Sequence, residues 1–336
     1  MQAAIYGLSG LTLTADERAF FLETDPAGYI LFARNCGDPE QLKALTASLR
    51  DLHGREDLPI LIDQEGGRVM RMKPPVWPPL PSGGAFEKLY QAAPSSAIEA
   101  ARMNARAIGL LLAAHGINVN CAPNLDVRQP NADQVVGDRA YGTEPMQVAA
   151  IGRAVLDGLS SAGVVGVVKH MPGHGRATVD SHKELPRVSA SAEELDSDLE
   201  PFEALREAPM GMVAHILFEA WDRDRPSSQS PFIIDEIIRK RIGFAGLLMT
   251  DDIGMEALAG SAGERSAAAI AAGCDLTLHC SGKFDEMLDV AAHVGAMTTE
   301  AEGRLARAMA GAMLGASDGP DFAGAVAVRD ELLALA

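Results

Sequence analysis

Short runs rich in Val, Ile and Leu recur along the chain, and longer Ala- and Leu-rich segments with helical spacing lie between them. The runs predict strands at Tyr29–Ala33, Pro59–Ile62, Ile117–Cys121, Val164–Val168, Met212–Leu217, Leu247–Thr250 and Asp275–Cys280, and an early strand at Ala4–Gly7 makes eight. The spacing predicts helices near residues 40–52, 95–114, 145–162, 192–207, 232–241 and 262–272, with further helix after residue 283. This alternation implies a parallel sheet with right-handed crossovers, either open and doubly wound or closed as an eight-stranded barrel.

The placing of polar residues separates these two. An open sheet gathers ligands at a switch point, whereas a barrel uses the ends of nearly all its strands. Here Arg34-Asn35, Asp63-Gln64-Glu65, Asn124-Leu125-Asp126, Lys169-His170, His215, Asp251-Asp252 and His279 follow one strand candidate after another. No Gly-x-Gly-x-x-Gly follows an early strand, so the dinucleotide reading lacks its phosphate-binding turn. The expected fold class is α/β, a TIM-type (β/α)8 barrel forming a single domain over residues 1–336. The proline-rich segment 73–81 reads as a stiff loop at the rim, and no linker or internal repeat divides the chain.

Composition narrows the function. With 336 residues, 47% hydrophobic and 22% charged, the chain buries a large core and is not a disordered one. A formal net charge of −17 repels phosphate backbones and anionic headgroups, so neither nucleic acid nor membrane is expected as a partner. Cys36, Cys121, Cys274 and Cys280 are scattered without a metal-type pair and read as reduced, buried thiols. The N-terminal residues lack the pattern of a secretory signal, and no apolar run approaches a membrane span. The expected location is the cytoplasm, as a monomer or weak homo-oligomer.

The densest chemistry follows the valine run 164–168: Lys169-His170-Met171-Pro172-Gly173-His174-Gly175, then Asp180-Ser181-His182. Together with Asp63-Gln64-Glu65-Gly66-Gly67-Arg68-Val69 and Thr250-Asp251-Asp252-Ile253-Gly254-Met255, it resembles the bacterial β-N-acetylhexosaminidases of glycoside hydrolase family 3. The resemblance spans roughly residues 25 to 285, with three long motifs in the family's order. It implies a barrel that removes terminal β-linked N-acetylglucosamine, typically from anhydromuropeptides in cell-wall recycling. It also implies a retaining mechanism with no metal and no cofactor, and a small carbohydrate as the partner.

Retaining hydrolysis needs a carboxylate nucleophile and a separate proton donor. Asp251 and Asp252 both fit the first role at a strand end, and alternation along the strand allows only one of them to point inward. Residue physics leaves that choice open; the family pattern places the nucleophile on the first acid of the pair, Asp251. The plain structural alternative is that Asp251 caps a helix before Met255. Resemblance assigns the proton donor to His182, an imidazole that titrates near neutrality, with Asp180 orienting it. It also places Asp63, Arg71, Arg139, Lys169 and His170 around the −1 sugar. Asp126 is a weaker candidate as a partner behind these groups, and the role of His174 stays open.

Two positions depart from the commoner pattern: Met171, often Phe, and Arg176, often Asp or a small polar residue. Arg176 adds a positive charge to the segment that leads to Asp180. The chain is expected to lack the additional sandwich domain that some relatives carry, which fits a histidine donor. Three other readings are open: a phosphorylase of the same family, a non-catalytic sugar-binding barrel, and a metallohydrolase using His170, His174, His182, His215, Lys169 and Asp251. The last lacks the paired histidines on the first strand that such sites commonly use.

Overall fold

The computed structural model describes residues 1–130, 136–177, 179 and 184–336. Ten strands occur among them: β1 (Gln2–Gly7), β2 (Pro26–Leu31), β3 (Ile60–Ile62), β4 (Val119–Asn120), β5 (Val165–Met171), β6 (Arg187–Val188), β7 (Met210–Val213), β8 (Leu217–Phe218), β9 (Leu247–Asp252) and β10 (Leu276–His279). Eight close into a parallel barrel in the order β1-β10-β9-β7-β5-β4-β3-β2, and β6 pairs with β8 outside it. The expected (β/α)8 barrel is therefore the observed fold. All six residues of β1 and all seven of β5 are buried, as strands covered on both faces require.

The helices are α1 (Ala15–Thr24), α2 (Pro39–His53), α3 (Gly83–Ala92), α4 (Pro94–Ala113), α5 (Pro145–Ser161), α6 (Asp196–Ala204), α7 (Ala262–Ala272), α8 (Phe284–His293), α9 (Thr299–Met309) and α10 (Phe322–Leu333). Their boundaries follow local chemistry. Asp38 accepts the Glu40 and Gln41 amides at the start of α2, and Gly54 ends it in the left-handed conformation. Ser261 and Glu264 form a reciprocal capping box on α7. Between β8 and β9, Ile233–Arg241 is a π-helical segment where the helical spacing predicts helix.

Two helices were not legible in the apolar spacing. In α1 the buried stripe is Glu17, Phe20 and Phe21, and Glu17 is spent on capping, taking the Thr14 and Ser9 amides at 2.9 and 2.8 Å. A carboxylate in the stripe breaks the hydrophobic period. α3 opens with Gly83-Gly84, which reads as loop; a Cβ at Gly83 would collide with the Arg139 carbonyl, so close approach explains that glycine.

The expected strand Met212–Leu217 is corrected. The barrel strand β7 ends at Val213, and the apolar run continues only because Leu217-Phe218 leaves the barrel to pair with β6. A second correction concerns where strands stop. Lys169-His170 and Asp251-Asp252 were expected beyond their strands, but both pairs lie inside them, in β5 and β9. At each place the register shifts. Val168 to Met171 on β5 spans Gly211 to Val213 on β7, and Met249 to Asp252 on β9 spans Leu276 to Leu278 on β10. Each shift inserts one extra residue, which re-aims side chains as a bulge does.

Candidate active site

The end of β3 runs into a tight turn in which the Glu65 and Gly66 amides both meet the Val69 carbonyl. Gln64, fully buried, pins the returning chain: its Oε1 accepts the Arg71 and Met72 amides at 2.9 and 3.1 Å, and its amide nitrogen donates to the Met72 carbonyl at 3.0 Å. Arg71 is thereby folded back over the strand end. Its Nη2 donates to Asp63 Oδ2 at 2.9 Å, and its guanidinium stacks 4.8 Å from the centre of the Phe32 ring.

Lys169 is 2% exposed, and its ammonium lies 2.9 Å from Asp63 Oδ1 and 2.7 Å from Glu65 Oε1. Glu65 in turn holds Arg139 through two parallel bonds of 2.9 and 2.8 Å. Burial penalises all of these charges, yet their partners outweigh it. Lys169 and Arg71 hold Asp63 well below the usual carboxylate range, and Arg139 and Lys169 hold Glu65 at about 2. By the same balance, burial against neighbouring carboxylates, Lys169 and Arg139 are raised above their ordinary values.

Behind β5 sits Asp126, wholly buried. Its Oδ2 is 2.7 Å from His170 Nδ1, and its Oδ1 accepts the His170 and His174 amides at 3.1 and 2.7 Å. A carboxylate accepts only, so His170 Nδ1 carries a proton, and the residue lines the pocket. The His174 imidazole is buried, which lowers its pKa to about 4 against the pull of Asp126. A Cβ at Gly175 would collide with the Val127 carbonyl, so only glycine lets this segment lie flat on the loop after β4.

On β9 both Asp251 and Asp252 line the pocket, contrary to the expectation that one would point away; the register shift breaks the alternation on which that expectation rests. The two differ in partners. Asp252 Oδ1 accepts the Gly254 and Cys280 amides at 2.9 and 3.1 Å, whereas Asp251 Oδ1 accepts the Asp252 amide at 2.8 Å. Burial raises the Asp251 pKa, but His170, His215, the Asp252 amide and Lys169 bring it below the ordinary value. Asp251 does not cap a helix, since α7 begins at Ala262 with its own cap.

The pocket at the carboxyl ends of the strands has a volume of about 420 Å³ and takes in Asp63, Arg71, Arg139, Lys169, His170 and Asp251. Asp180 and His182 lie outside the described residues. Arg176 is tied to helix α6, its Nε against Asp198 Oδ2 and its Nη2 2.7 Å from the Glu194 carbonyl. Other strand-end polar residues serve elsewhere: His279 bonds Glu286 and Ser281, and Asn35 ties down the Leu8 and Gly10 carbonyls. Among the described residues no group of three His, Cys, Asp or Glu side chains is placed to hold a metal ion.

Glu65 was not among the candidates for the site, and His215 entered only as a ligand in the metallohydrolase reading. Glu65 was findable, because two cations, Lys169 on β5 and Arg139 from the loop after β4, need more than Asp63 to be buried together. Asp126, a weak candidate from sequence, proves to bind the His170 imidazole on β5 and the His174 backbone amide just beyond it.

A closed parallel barrel with carboxylates, cations and imidazole converging on a pocket at the strands' carboxyl ends defines an α/β-barrel enzyme. The chain belongs to glycosyl hydrolase family 3: residues 6–309 match the model of the family's N-terminal domain. It is 40% identical over 286 residues to a β-hexosaminidase of Methylococcus capsulatus, covering 82% of each chain. A β-hexosaminidase of Aromatoleum aromaticum is 36% identical over 282 residues, 82% of this chain and 78% of the relative. Among solved structures, NagZ from Neisseria gonorrhoeae in complex with N-trifluoroacetyl-D-glucosamine superposes with a TM-score of 0.86 at 30% identity, covering 99% of this chain and 98% of the other. A family 3 β-N-acetylglucosaminidase from Paenibacillus sp. gives a TM-score of 0.87 at 30% identity, over 98% of this chain and 66% of the other.

Proposed function

We propose that this glycoside hydrolase is a retaining exo-β-N-acetylglucosaminidase that releases terminal β-linked N-acetylglucosamine, acting on anhydromuropeptides during peptidoglycan recycling in the cytoplasm. In this reading residues 1–336 act as one barrel domain. Asp251 attacks the anomeric carbon to form a glycosyl-enzyme ester while His182, oriented by Asp180, protonates the leaving oxygen. His182 then takes a proton from the water that cleaves the ester.

The observation that carries the reading is the Asp251 carboxylate: it lines the pocket, stands on a rigid strand, is favoured in its ionised form by its surroundings, and accepts one adjacent amide where Asp252 braces two from other segments. Asp63, Arg71, Arg139, Lys169 and His170 supply hydrogen-bonding groups fixed in advance for the hydroxyls of a −1 sugar. The relatives' β-hexosaminidase activity and the N-acylglucosamine held by the gonococcal structure support the substrate class. Four free thiols fit a reducing compartment.

The test is release of p-nitrophenol from its β-N-acetylglucosaminide, with NMR of the first-formed anomer and mass spectrometry of enzyme treated with a fluorinated glycosyl trapping reagent. Retention of configuration, an adduct on Asp251 and turnover indifferent to chelator are expected. Inversion, or an adduct elsewhere, overturns the mechanism. Turnover that requires phosphate converts the assignment to a phosphorylase, and inertness on all such sugars leaves a binding protein.

A further inference from the structure

His215, just past the end of β7, is completely buried and was not drawn into the mechanism above. Its Nε2 lies 3.1 Å from the Asp252 carbonyl oxygen, and its Nδ1 lies 2.6 Å from Ser228 Oγ. A carbonyl only accepts, so Nε2 carries the proton; burial lowers the pKa of this imidazole, so Nδ1 is bare and accepts the Ser228 hydroxyl. Ser228 is itself fully buried. The pair is thus a fixed donor aimed at one peptide group, the one that joins Asp252 to Ile253.

That peptide group stands at the end of β9, just past the extra residue between Met249 and Asp252. The ladder to β10 is interrupted there, and side chains replace it: Thr250 Oγ1 accepts the Leu278 amide at 3.0 Å, and Asp252 Oδ1 accepts the Cys280 amide at 3.1 Å. Both bonds face β10. His215 supplies the hold from the β7 side, so residue 252 is fixed between two neighbours and the Asp251 side chain is aimed by what holds the residue after it.

We infer that His215, locked in one tautomer by Ser228, is a positioning residue for the Asp251 nucleophile, acting through the Asp252 carbonyl and not through contact with the sugar. The inference rests on the proposed role of Asp251. Misplacing an attacking oxygen by about an ångström costs on the order of a hundredfold in rate with little change in ground-state binding.

The experiment measures kcat, KM, the rate of covalent trapping and the melting temperature of His215→Leu, His215→Gln, Ser228→Ala and Asp251→Ala. A glutamine amide nitrogen reaches the place of the imidazole Nε2 and keeps the donor. The expected result is that His215→Leu traps about a hundredfold more slowly at near-normal KM, that His215→Gln recovers to within about tenfold of wild type, and that Ser228→Ala is slowed about threefold to tenfold. Wild-type trapping by His215→Leu, a loss expressed only in KM, or no recovery by a folded His215→Gln overturns the inference. Should His215→Leu not fold, Ser228→Ala decides: lower kcat with normal KM and melting supports the role, and unchanged kcat overturns it. Activity remaining in Asp251→Ala sinks the reading of the site itself, whereas a dead Asp251→Ala beside a wild-type His215→Leu sinks this inference alone.

Discussion

Glu65 Oε1 lies 2.7 Å from the ammonium of Lys169, a contact that joins the turn after β3 to the interior of β5. The same carboxylate grips Arg139 from the loop after β4, so one acid sets the position of two cations at the pocket. Removing it takes a contacting carboxylate from both buried cations, and Lys169 keeps Asp63. Glu65→Gln is expected to cost roughly 3–5 kcal/mol of stability and to raise KM more than it lowers kcat. Urea denaturation with steady-state kinetics checks this; an unchanged denaturation midpoint counts against the cluster as a structural keystone.

The two acids of β9 are expected to separate cleanly. Asp251→Asn loses at least about a thousandfold in kcat and keeps its melting temperature, since its oxygen accepts a single backbone amide. Asp252→Ala leaves the Gly254 and Cys280 amides without their acceptor and loses about 1–3 kcal/mol of stability. Kinetics and thermal melts on both variants decide it, and the reverse pattern would assign attack to Asp252.

Asp126 accepts His170 Nδ1 and two backbone amides. Asp126→Ala is expected to lose roughly 3 kcal/mol or more and to free the His170 ring to rotate. Asp126→Asn keeps the acceptor oxygen and is expected to lose less than half as much. Equal losses in the two would show that the charge or the second oxygen of the carboxylate, and not the one acceptor that asparagine keeps, matters at this position.

His174 links the site to pH. Its folded pKa of about 4 lies below the ordinary 6.5, so the unfolded chain binds the proton more readily between those values. The stability tied to a neutral His174 is complete above about pH 6.5 and is lost as the pH falls toward 4, at up to about 1.4 kcal/mol per unit. His53 and His215 shift the same way and contribute to the same slope. Denaturation midpoints at pH 7.5, 6 and 5 should converge for wild type and His174→Gln as the pH falls; parallel curves would contradict the burial argument.

The barrel was legible because its evidence is redundant. Val164–Val168 and Leu247–Thr250 read as buried strands on apolar content alone, and polar residues recur after each strand whatever its exact end. What could not be read depends on three-dimensional pairing. Glu17 counts as polar in a one-dimensional pattern although it is buried as a cap, and Leu217-Phe218 counts as barrel strand although its partner is β6. At the site, Lys169, His170, Asp63, Arg71, Arg139 and Asp251, each named from the sequence, line one pocket. The parity argument that set Asp251 against Asp252 failed because strict alternation presumes an unbroken register.

Those two breaks in register have a further meaning. A regular strand can offer the barrel mouth every second residue; by slipping once, β5 offers both Lys169 and His170 and β9 both Asp251 and Asp252, doubling the chemistry that each strand delivers to one small space. Side-chain vocabulary is then set by chain length as much as by residue type. Deleting a single residue between Val168 and Met171, or between Met249 and Asp252, would erase half of a functional pair while leaving the barrel able to close. The backbone at these two places is as much a part of the active site as the groups it carries.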